Sequence, residues 1–421
     1  NENILFAGTE YGVHVSVDGG QNWKALKAGL PTINVRDMAI QERENDLVLG
    51  TFGRGFYVLD DYSPLREISA ANLEKPAHIF SIAEGKMFNT YTPLGSLGSR
   101  EHGFQGEMHF SAPNPQTGAI IRYHLKEGVT TLKAERSKRE AEAFKKGEAI
   151  PYPTVEEYKA EQNEPSSYLV FTIKDRTGDI VSELRTGLSK GMGQVVWDMT
   201  YMNFNSVNAR QANESSSLSS SGIFVVPGSY TVSMSQVVKG ELSELATQSF
   251  SVSDLDNRIL PAEDWSAMAA FKKKAANLVS AISSTQSVLS EMRGRINFYK
   301  AAAKTFPIEE SLTLLKEIAA LVQEVEELST TMNGDGTLRI LDKDGDYSMS
   351  ARARNAAYDI FGSLSNVTET SKRNYDIAAD EFTPVLNMAR NLQPKFEAMD
   401  QKMGNLGAPL LPGALPDWRK Q

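Results

Sequence analysis

The stretch Ser16–Trp23, SVDGGQNW, decides how the first part of this chain is interpreted. It fits the pattern S-x-D-x-G-x-x-W, with Ser16, Asp18, Gly20 and Trp23 at the marked positions. A serine or aspartate side chain accepts backbone N–H bonds across a tight corner, and glycine supplies the positive φ that the corner needs. The aromatic ring is expected to fold back over the hairpin. The pattern predicts a structural turn, and an ordinary β-hairpin with an aromatic plug is the alternative.

The residues around this turn form a repeated pattern of strands. Residues 2–19, ENILFAGTEYGVHVSVDG, resemble residues 44–61, ENDLVLGTFGRGFYVLDD. Both copies run from Glu-Asn through an apolar strand, Gly-Thr and a glycine-containing turn to a second apolar strand. An offset of about forty residues is the period of propeller blades. With the flanking runs VRDMAIQ (35–41) and PLREI (64–68), the second copy is predicted to make one four-stranded blade. Residues 1–70 are therefore predicted to hold the last blades of a β-propeller.

Two blades cannot close a ring, and their open edges would leave backbone groups unpaired. We therefore expect further blades from an upstream part of a longer chain, or from another chain that completes the ring. Ser16–Trp23 resembles the Asp-box of sialidase and sortilin-type propellers, with Asn22 where threonine is usual. Residues 50–61 resemble the closing blade of bacterial BNR-repeat proteins, often labelled "glycosyl hydrolase" or sortilin-like. The resemblance implies that the Asp-box is structural and that the protein is extracytoplasmic, in the periplasm, on the outer surface or secreted.

Residues 71–260 predict an Ig-like β-sandwich. Short runs rich in Val, Ile, Phe, Tyr and Thr alternate with Gly, Asp and Asn turns. Residues 178–186, GDIVSELRT, residues 194–201, QVVWDMTY, and residues 225–234, VVPGSYTVSM, resemble the Ig-like domain of flagellar hook-capping proteins and of many bacterial surface enzymes. That resemblance implies a core role for Trp197. A charged insertion near residues 132–164 is predicted as a solvated loop or helical excursion, and residues 213–222 as a polar, mobile loop.

Residues 261–404 predict an antiparallel helical bundle. Apolar residues recur three, four or seven apart, as on one face of a long helix: Trp265, Met268, Phe271, Ala275, Leu278, Ile282, Leu289, Met292, Ile296 and Tyr299. Pro307 ends this helix, and three more are predicted over residues 309–329, 350–367 and 380–403. The Pro- and Gly-rich residues 405–421 are predicted to form an extended tail, with Trp418 as the candidate residue for holding it to a surface. The predicted fold class is thus a multidomain protein of β and α parts.

Composition narrows the classes of function. The 421 residues include no cysteine, which excludes disulfides, thiol catalysis and cysteine-bound metals. A net charge of −9 argues against nucleic acid as a partner. No apolar run is long enough to span a membrane as a helix.

A metal site is suggested at one place in the sequence. In LDKDGDYS, Asp342, Asp344 and Asp346 stand at alternating positions, the spacing of a calcium loop. The expected glycine position holds Tyr347, however, and the position of the bidentate glutamate holds Ala353. A solvated turn between helices is therefore favoured, with calcium as the weaker alternative and no other cofactor expected. The five histidines, His14, His78, His102, His109 and His124, form no ligand motif.

The sequence offers few candidate residues for a catalytic site. Glycoside hydrolysis needs two carboxylates facing one another, and the nearest candidates, Asp60 and Asp61, are adjacent on a strand and would point to opposite faces. The sequence therefore predicts a non-catalytic binding or scaffolding component that contacts protein or glycan. The alternative is a propeller-type glycoside hydrolase whose catalytic carboxylates lie in blades outside this chain.

Overall fold

The computed structural model describes residues 3–27, 29–88, 116–150, 152–202, 220–255, 262–361 and 363–409. It is a mixed α/β structure with several sheets and a helical C-terminal part. The chain divides into two compact units, one made mainly of residues 1–202 and 225–257 and the other mainly of residues 258–421. Among the described residues, no helix is long and apolar enough to cross a membrane.

The first unit begins with two small antiparallel sheets. The first sheet has the strand order β1-β2-β3, with β1 at Leu5–Thr9, β2 at Gly12–Ser16 and β3 at Lys24–Leu26. The second has the order β4-β5-β6, with β4 at Val35–Gln41, β5 at Asp46–Thr51 and β6 at Phe56–Leu59. The strand–turn–strand prediction for the start of the chain is confirmed by the pairing of β1 with β2.

The two sequence copies fold in the same way at their central turns. Thr9 Oγ1 donates to the carbonyl of Gly12 over 2.9 Å, and Thr51 Oγ1 donates to the carbonyl of Gly55 over 2.7 Å. Each threonine closes the turn that joins the two strands of its copy. The Gly-Thr pair of the repeat is thus a turn-closing device, and β1-β2 is the structural equivalent of β5-β6.

The copies differ after their second strand. In both, an asparagine carbonyl accepts from the residues that leave the sheet: Asn3 from the N–H of Gly19, over 3.0 Å, and Asn45 from the N–H of Tyr62, over 2.8 Å. The first copy then adds β3, whereas the second enters a 3-10 helix at Ser63–Glu67. The prediction of a fourth strand from PLREI is wrong, because its proline has no N–H for a sheet and suits the start of a helix.

The two sheets pack face to face around one small core. Its fully buried members are Val13, Val35, Leu47, Leu49 and Tyr62. Val13 comes from the first sheet, and Val35, Leu47 and Leu49 come from the second. The alternation of strand residues therefore gives each sheet one face that is covered by the other.

The rest of the first unit is β-rich. Its strands are β7 Ala77–Ile79, β8 Gly85–Met87, β9 Ala119–Leu125, β10 Tyr168–Lys174, β11 Ile180–Gly187, β12 Gly191–Trp197, β13 Thr200–Met202, β15 Gly228–Val238 and β16 Glu241–Asp254. The strand β14, Ser220–Phe224, belongs to the second unit except for its first residue. A five-stranded sheet has the order β11-β10-β15-β16-β8, and a three-stranded sheet has the order β12-β9-β7. Only the β16–β8 pair in these two sheets is parallel among the pairings described.

Trp197 lies in the core, as predicted. Its ring is fully buried and makes edge contacts with Tyr230 and Phe250, with centroids 5.2 and 5.9 Å away. Its indole N–H donates to the carbonyl of Thr200 over 2.9 Å. The polar edge of the ring is therefore satisfied inside the core, and the residue is unavailable as a ligand platform.

The charged insertion is helical. After the short helix α1, Ala70–Leu73, come α2, Leu132–Lys146, and α3, Val155–Gln162. Neither α2 nor α3 buries a residue. Arg136 joins the two through Glu161, with Nε 2.6 Å from Oε1. Of the two alternatives for this segment, the helical excursion is the one observed.

The second unit is built from helices. They are α4 Trp265–Ala303, α5 Ile308–Asn333, α6 Gly336–Ile340, α7 Met349–Phe361 and α8 Glu369–Asn405. The four longer ones contribute to one shared core. Every member of the apolar stripe predicted for α4 is buried except the half-buried Trp265. Helix α8 begins earlier than predicted and continues through Pro384 and Pro394, because packing of its apolar face outweighs the local cost of proline.

Some predictions are not tested by this structure. The domain boundaries at residues 70, 260 and 404 stay predictions. Residues 213–219, most of the 405–421 tail including Trp418, and the histidines His102 and His109 lie outside the described residues.

Candidate functional site

The Ser16–Trp23 turn is closed by its own side chains. Ser16 Oγ donates to Asp18 Oδ1 over 2.7 Å and accepts from the N–H of Gly20 over 2.8 Å. The two oxygens of Asp18 accept from the backbone and the side-chain amide of Asn22, over 2.9 and 2.8 Å. Trp23 folds back so that its indole N–H donates to the carbonyl of Gly20 over 3.1 Å.

These bonds determine the charge state of Asp18. The hydrogen bonds from Asn22, together with that from Ser16, lower the pKa of Asp18 to about 2. Both carboxylate oxygens accept hydrogen bonds from within the turn. Asn22, which stands where the resembled family has threonine, adds a side-chain bond to the motif. That the turn has a purely structural role stays a prediction.

The three predicted calcium ligands line an open cleft in the second unit. The cleft has a volume of about 1270 Å3 and lies between the end of α5, α6, the loop before α7, and α8. Its carboxylates are Glu326, Asp335, Asp342, Asp344, Asp346 and Glu381. Lys343 lies among them. The structure thus brings the sequence-predicted aspartates to the rim of one cavity.

The described aspartates of this loop take part in backbone conformation and backbone hydrogen bonding. Asp342 adopts a left-handed conformation with φ of 53°, two residues after α6 ends. Asp335 accepts from the N–H of Thr337 over 2.8 Å, and bonds from Thr337 lower the pKa of Asp335. Within the described residues, no three histidine, aspartate or glutamate side chains are grouped so that they could hold a metal ion. Calcium binding here stays a prediction.

The carboxylates at the end of β6 have structural partners. The N–H of Asp61 donates to Asp46 Oδ1 over 2.9 Å, and the carboxylate of Asp61 pairs with Arg122 of β9. Asp60 is next to this pair. Partial burial, and then the nearby charge of Asp46, raise the pKa of Asp60, and Arg122 opposes them. The group joins the second sheet to β9, and no catalytic pair facing a cleft is seen in it.

Two of the described histidines hold a buried ring nitrogen without a partner, namely Nδ1 of His14 and of His124. His78 instead lies with Nε2 3.0 Å from Glu67 Oε2, and the N–H of Ser81 donates to the other oxygen of Glu67 over 2.7 Å. Burial raises the pKa of Glu67, but the bonds from Ser81 and His78 outweigh it and leave that pKa below its usual value. These residues tie the segment after the second sheet to the strand β7.

One surface was not singled out from the sequence. In the second sheet, Ala39, Val48 and Val58 lie directly opposite one another across β4, β5 and β6, and Phe56 lies two residues from Val58. These four residues share a face and form what we call the outer face. Phe56 is 80% exposed and Val58 is 53% exposed. The opposite face of the same sheet holds the buried core, so this sheet is apolar on both sides.

The internal repeat explains the outer face. In the first sheet the equivalents of Val48, Phe56 and Val58 are Phe6, Val13 and Val15, since β1-β2 corresponds to β5-β6. Val13 and Val15 are buried, and Phe6 and Val13 pack into the core shared with the second sheet. The outer face thus repeats a face that is covered elsewhere in the molecule. Comparing the two copies position by position would have revealed it from the sequence.

Comparison with known proteins gives little further information. No family model and no curated protein match the chain. Among solved structures, an extracellular domain of a one-component system from B. thetaiotaomicron is similar at 11% identity and a TM-score of 0.14. The similarity covers 60% of this chain and 24% of that chain. A likeness of this size carries no argument about fold or function.

Proposed function

We propose that this chain is a non-catalytic, extracytoplasmic binding or scaffolding component of a bacterial BNR-propeller protein, and that it contacts protein or glycan. The observation that carries the proposal is the outer face of the second sheet. Contiguous apolar side chains are rarely left exposed on a soluble protein without a partner. Because the equivalent face of the first sheet is covered by another sheet, we assign the outer face to contact with a protein surface.

The repeat supports the propeller assignment. Two consecutive antiparallel sheets with the same turn bonds pack face to face, which is how neighbouring blades pack in a propeller. The first sheet lacks the strand that corresponds to β4, and the second lacks the strand that corresponds to β3, among the described strands. When the two copies are superposed on their shared pair of strands, β4 and β3 add one strand on each side. The combined unit then has four strands.

The remaining sheets of the first unit support the proposal of an Ig-like sandwich with a binding or scaffolding role. Its five- and three-stranded sheets enclose Trp197, Tyr230 and Phe250, an aromatic core of the kind found in Ig-like sandwiches. Ig-like and helical modules commonly present surfaces for other macromolecules. The extracytoplasmic location is supported by the resemblance of the Asp-box and of residues 50–61 to exported bacterial proteins.

The test introduces a photocrosslinking amino acid into the full chain. The chain is expressed in its native host cells, so that its natural partners are present. Placed at Val58, the crosslinker lies on the outer face. Placed at Tyr152, which is 96% exposed on the charged insertion, it serves as the control. We expect one defined crosslinked product from position 58 and none from position 152. The same products from both positions, or none from position 58, would contradict the assignment of the outer face.

A catalytic role for the carboxylates of this chain itself, rather than for carboxylates in blades outside it, is tested separately. Purified chain is incubated with fluorogenic glycosides, sialosides included, and with the Asp60→Asn/Asp61→Asn variant as the control. We expect no hydrolysis above that of buffer. Turnover that disappears in the double variant would overturn the non-catalytic proposal, because those residues are the nearest candidate pair in the chain.

A further inference from the structure

The outer edge of β1 is the place where the two copies of the repeat differ most. In the second sheet, β5 lies between β4 and β6 and is paired on both sides. Its equivalent, β1, pairs with β2 on one side, and none of the described strands pairs with its other side. Leu5 on this strand is 39% exposed. An open edge with apolar side chains is a ready template for another strand.

The second sheet shows what kind of strand fits. Strand β4 pairs with β5 in an antiparallel register that sets Ile40 opposite Leu47 and Met38 opposite Leu49. Leu47 and Leu49 correspond to Leu5 and Ala7 of β1 in the repeat. A strand with the pattern of β4 on the edge of β1 would therefore place its apolar side chains beside Leu5 and Ala7. Their face of the first sheet points away from the second sheet, since Phe6 and Val13 point toward it.

The glycine of the repeat is also compatible with a strand on the edge of β1. The residue of β4 that lies opposite Gly50 is Asp37, and Gly50 corresponds to Gly8. A Cβ built on Gly50 would lie 3.6 Å from Asp37 Cβ, an ordinary contact. A residue at this position of the repeat therefore presents no obstacle to a neighbouring strand.

We infer that the outer edge of β1, Leu5–Thr9, binds an antiparallel strand with the sequence pattern of β4, VRDMAIQ, as a strand added to the first sheet. This inference rests on the proposed function, because it uses the same repeat. It deepens that proposal by naming the partner of the edge: a strand of the same repeat type, held by main-chain hydrogen bonds and by apolar side chains at alternate positions.

The test places such a strand in cis on the full chain. A copy of residues 33–43, INVRDMAIQER, is joined directly before Glu2, because Arg43 precedes Glu44 in the second copy and Glu44 corresponds to Glu2. The matched control carries the same extension with the equivalent of Met38→Pro, which cannot take part in a strand ladder. Backbone hydrogen exchange is measured in peptides that cover Leu5–Thr9.

We expect exchange in Leu5–Thr9 to slow by at least about tenfold with the intact extension relative to the proline control. Exchange in β6, at Phe56–Leu59, should be the same in both and serves as the internal reference. Equal exchange of Leu5–Thr9 in the two chains would overturn the inference. The free peptide of residues 33–43, added at increasing concentration to the unextended chain, gives a second readout: saturable protection of Leu5–Thr9 supports it.

The failure of this inference and the failure of the proposed function can be told apart. A protected β1 edge together with no crosslink from Val58 would overturn only the role of the outer face. An unprotected edge together with a defined crosslink from Val58 would overturn only the strand-addition inference.

Discussion

Gly8 of the first sheet lies directly against Val35 of the second. A Cβ placed on Gly8 would be 3.1 Å from Val35 Cγ1, closer than side chains normally approach. Among the described glycines of the two sheets, Gly8 makes the closest approach to the opposite sheet. The absence of a side chain at Gly8 therefore sets how closely the first sheet approaches the second.

A larger residue at Gly8 should separate the sheets. We expect Gly8→Val to lower the free energy of unfolding by about 1–3 kcal/mol, because overpacking forces the neighbouring strand to move. Gly50→Val is the matched control, since Gly50 is its equivalent in the repeat and its nearest contact is at 3.6 Å. Urea unfolding followed by circular dichroism measures both. A Gly50→Val variant destabilised as much as Gly8→Val would contradict the stated role of Gly8.

The Ser16–Trp23 turn should weaken in acid. Folding lowers the pKa of Asp18 from 3.8 to about 2, so the folded state favours the carboxylate. The contribution of Asp18 to stability is therefore present above about pH 4 and is lost as the pH falls through about 2. We expect the Asp18→Asn variant to have a lower Tm than the wild type at neutral pH, with the difference shrinking over this range.

The control for this titration is Asp376→Asn, at an exposed position of α8. Its Tm should follow the wild type at each pH. A difference between wild type and Asp18→Asn that stays constant down to pH 2 would mean that the carboxylate bonds to Asn22 and Ser16 are not what stabilises the turn. The indole N–H resonance of Trp23, which reports its bond to Gly20, gives a local measurement in the same samples.

The ion pair of Asp61 and Arg122 should couple the second sheet to β9. Both side chains are mostly buried, at 14% and 21% exposure. In a double-mutant cycle with Asp61→Asn and Arg122→Met, we expect a coupling energy of about 1–2 kcal/mol, because losing either partner leaves the other desolvated and unpaired. The exposed pair Arg43–Glu44, tested in the same way, should give a coupling near zero. Equal coupling in the two pairs would argue against a joining role for Asp61.

Calcium should not stabilise the second unit. The aspartates at residues 342, 344 and 346 lie around an open cleft, and the described side chains form no three-ligand group. A ligand that binds only the folded state stabilises it by RT ln(1 + L/Kd), where L is the free ligand concentration, and therefore raises Tm. We expect no change in Tm on adding millimolar calcium to the full chain. A rise in Tm that is absent in Asp344→Asn would show that the loop does bind the ion.

Local patterns were sufficient for much of this chain. The Ser16–Trp23 turn depends on side chains that bond to atoms within a few residues, so its residues could be identified from spacing alone. The apolar stripe of α4 and the alternation around Trp197 were predictable for the same reason, since both follow from the period of one element. The internal repeat was also readable, because its two copies keep the Gly-Thr turn and the apolar strands in order.

Tertiary packing decided the rest. The segment PLREI was predicted as a strand and forms a 3-10 helix, which the missing N–H of Pro64 could have indicated from the sequence alone. The predicted helix at 380–403 already ran through Pro384 and Pro394, but α8 begins at Glu369, because packing of its apolar face extends the helix toward its N-terminus. The pairing of Asp61 with Arg122 joins residues far apart in sequence, which no local pattern specifies. The equivalence of the two copies shows from the sequence which residues form the outer face, but only the folded chain shows that this face and the edge of β1 are left uncovered, because exposure depends on what the other described residues cover.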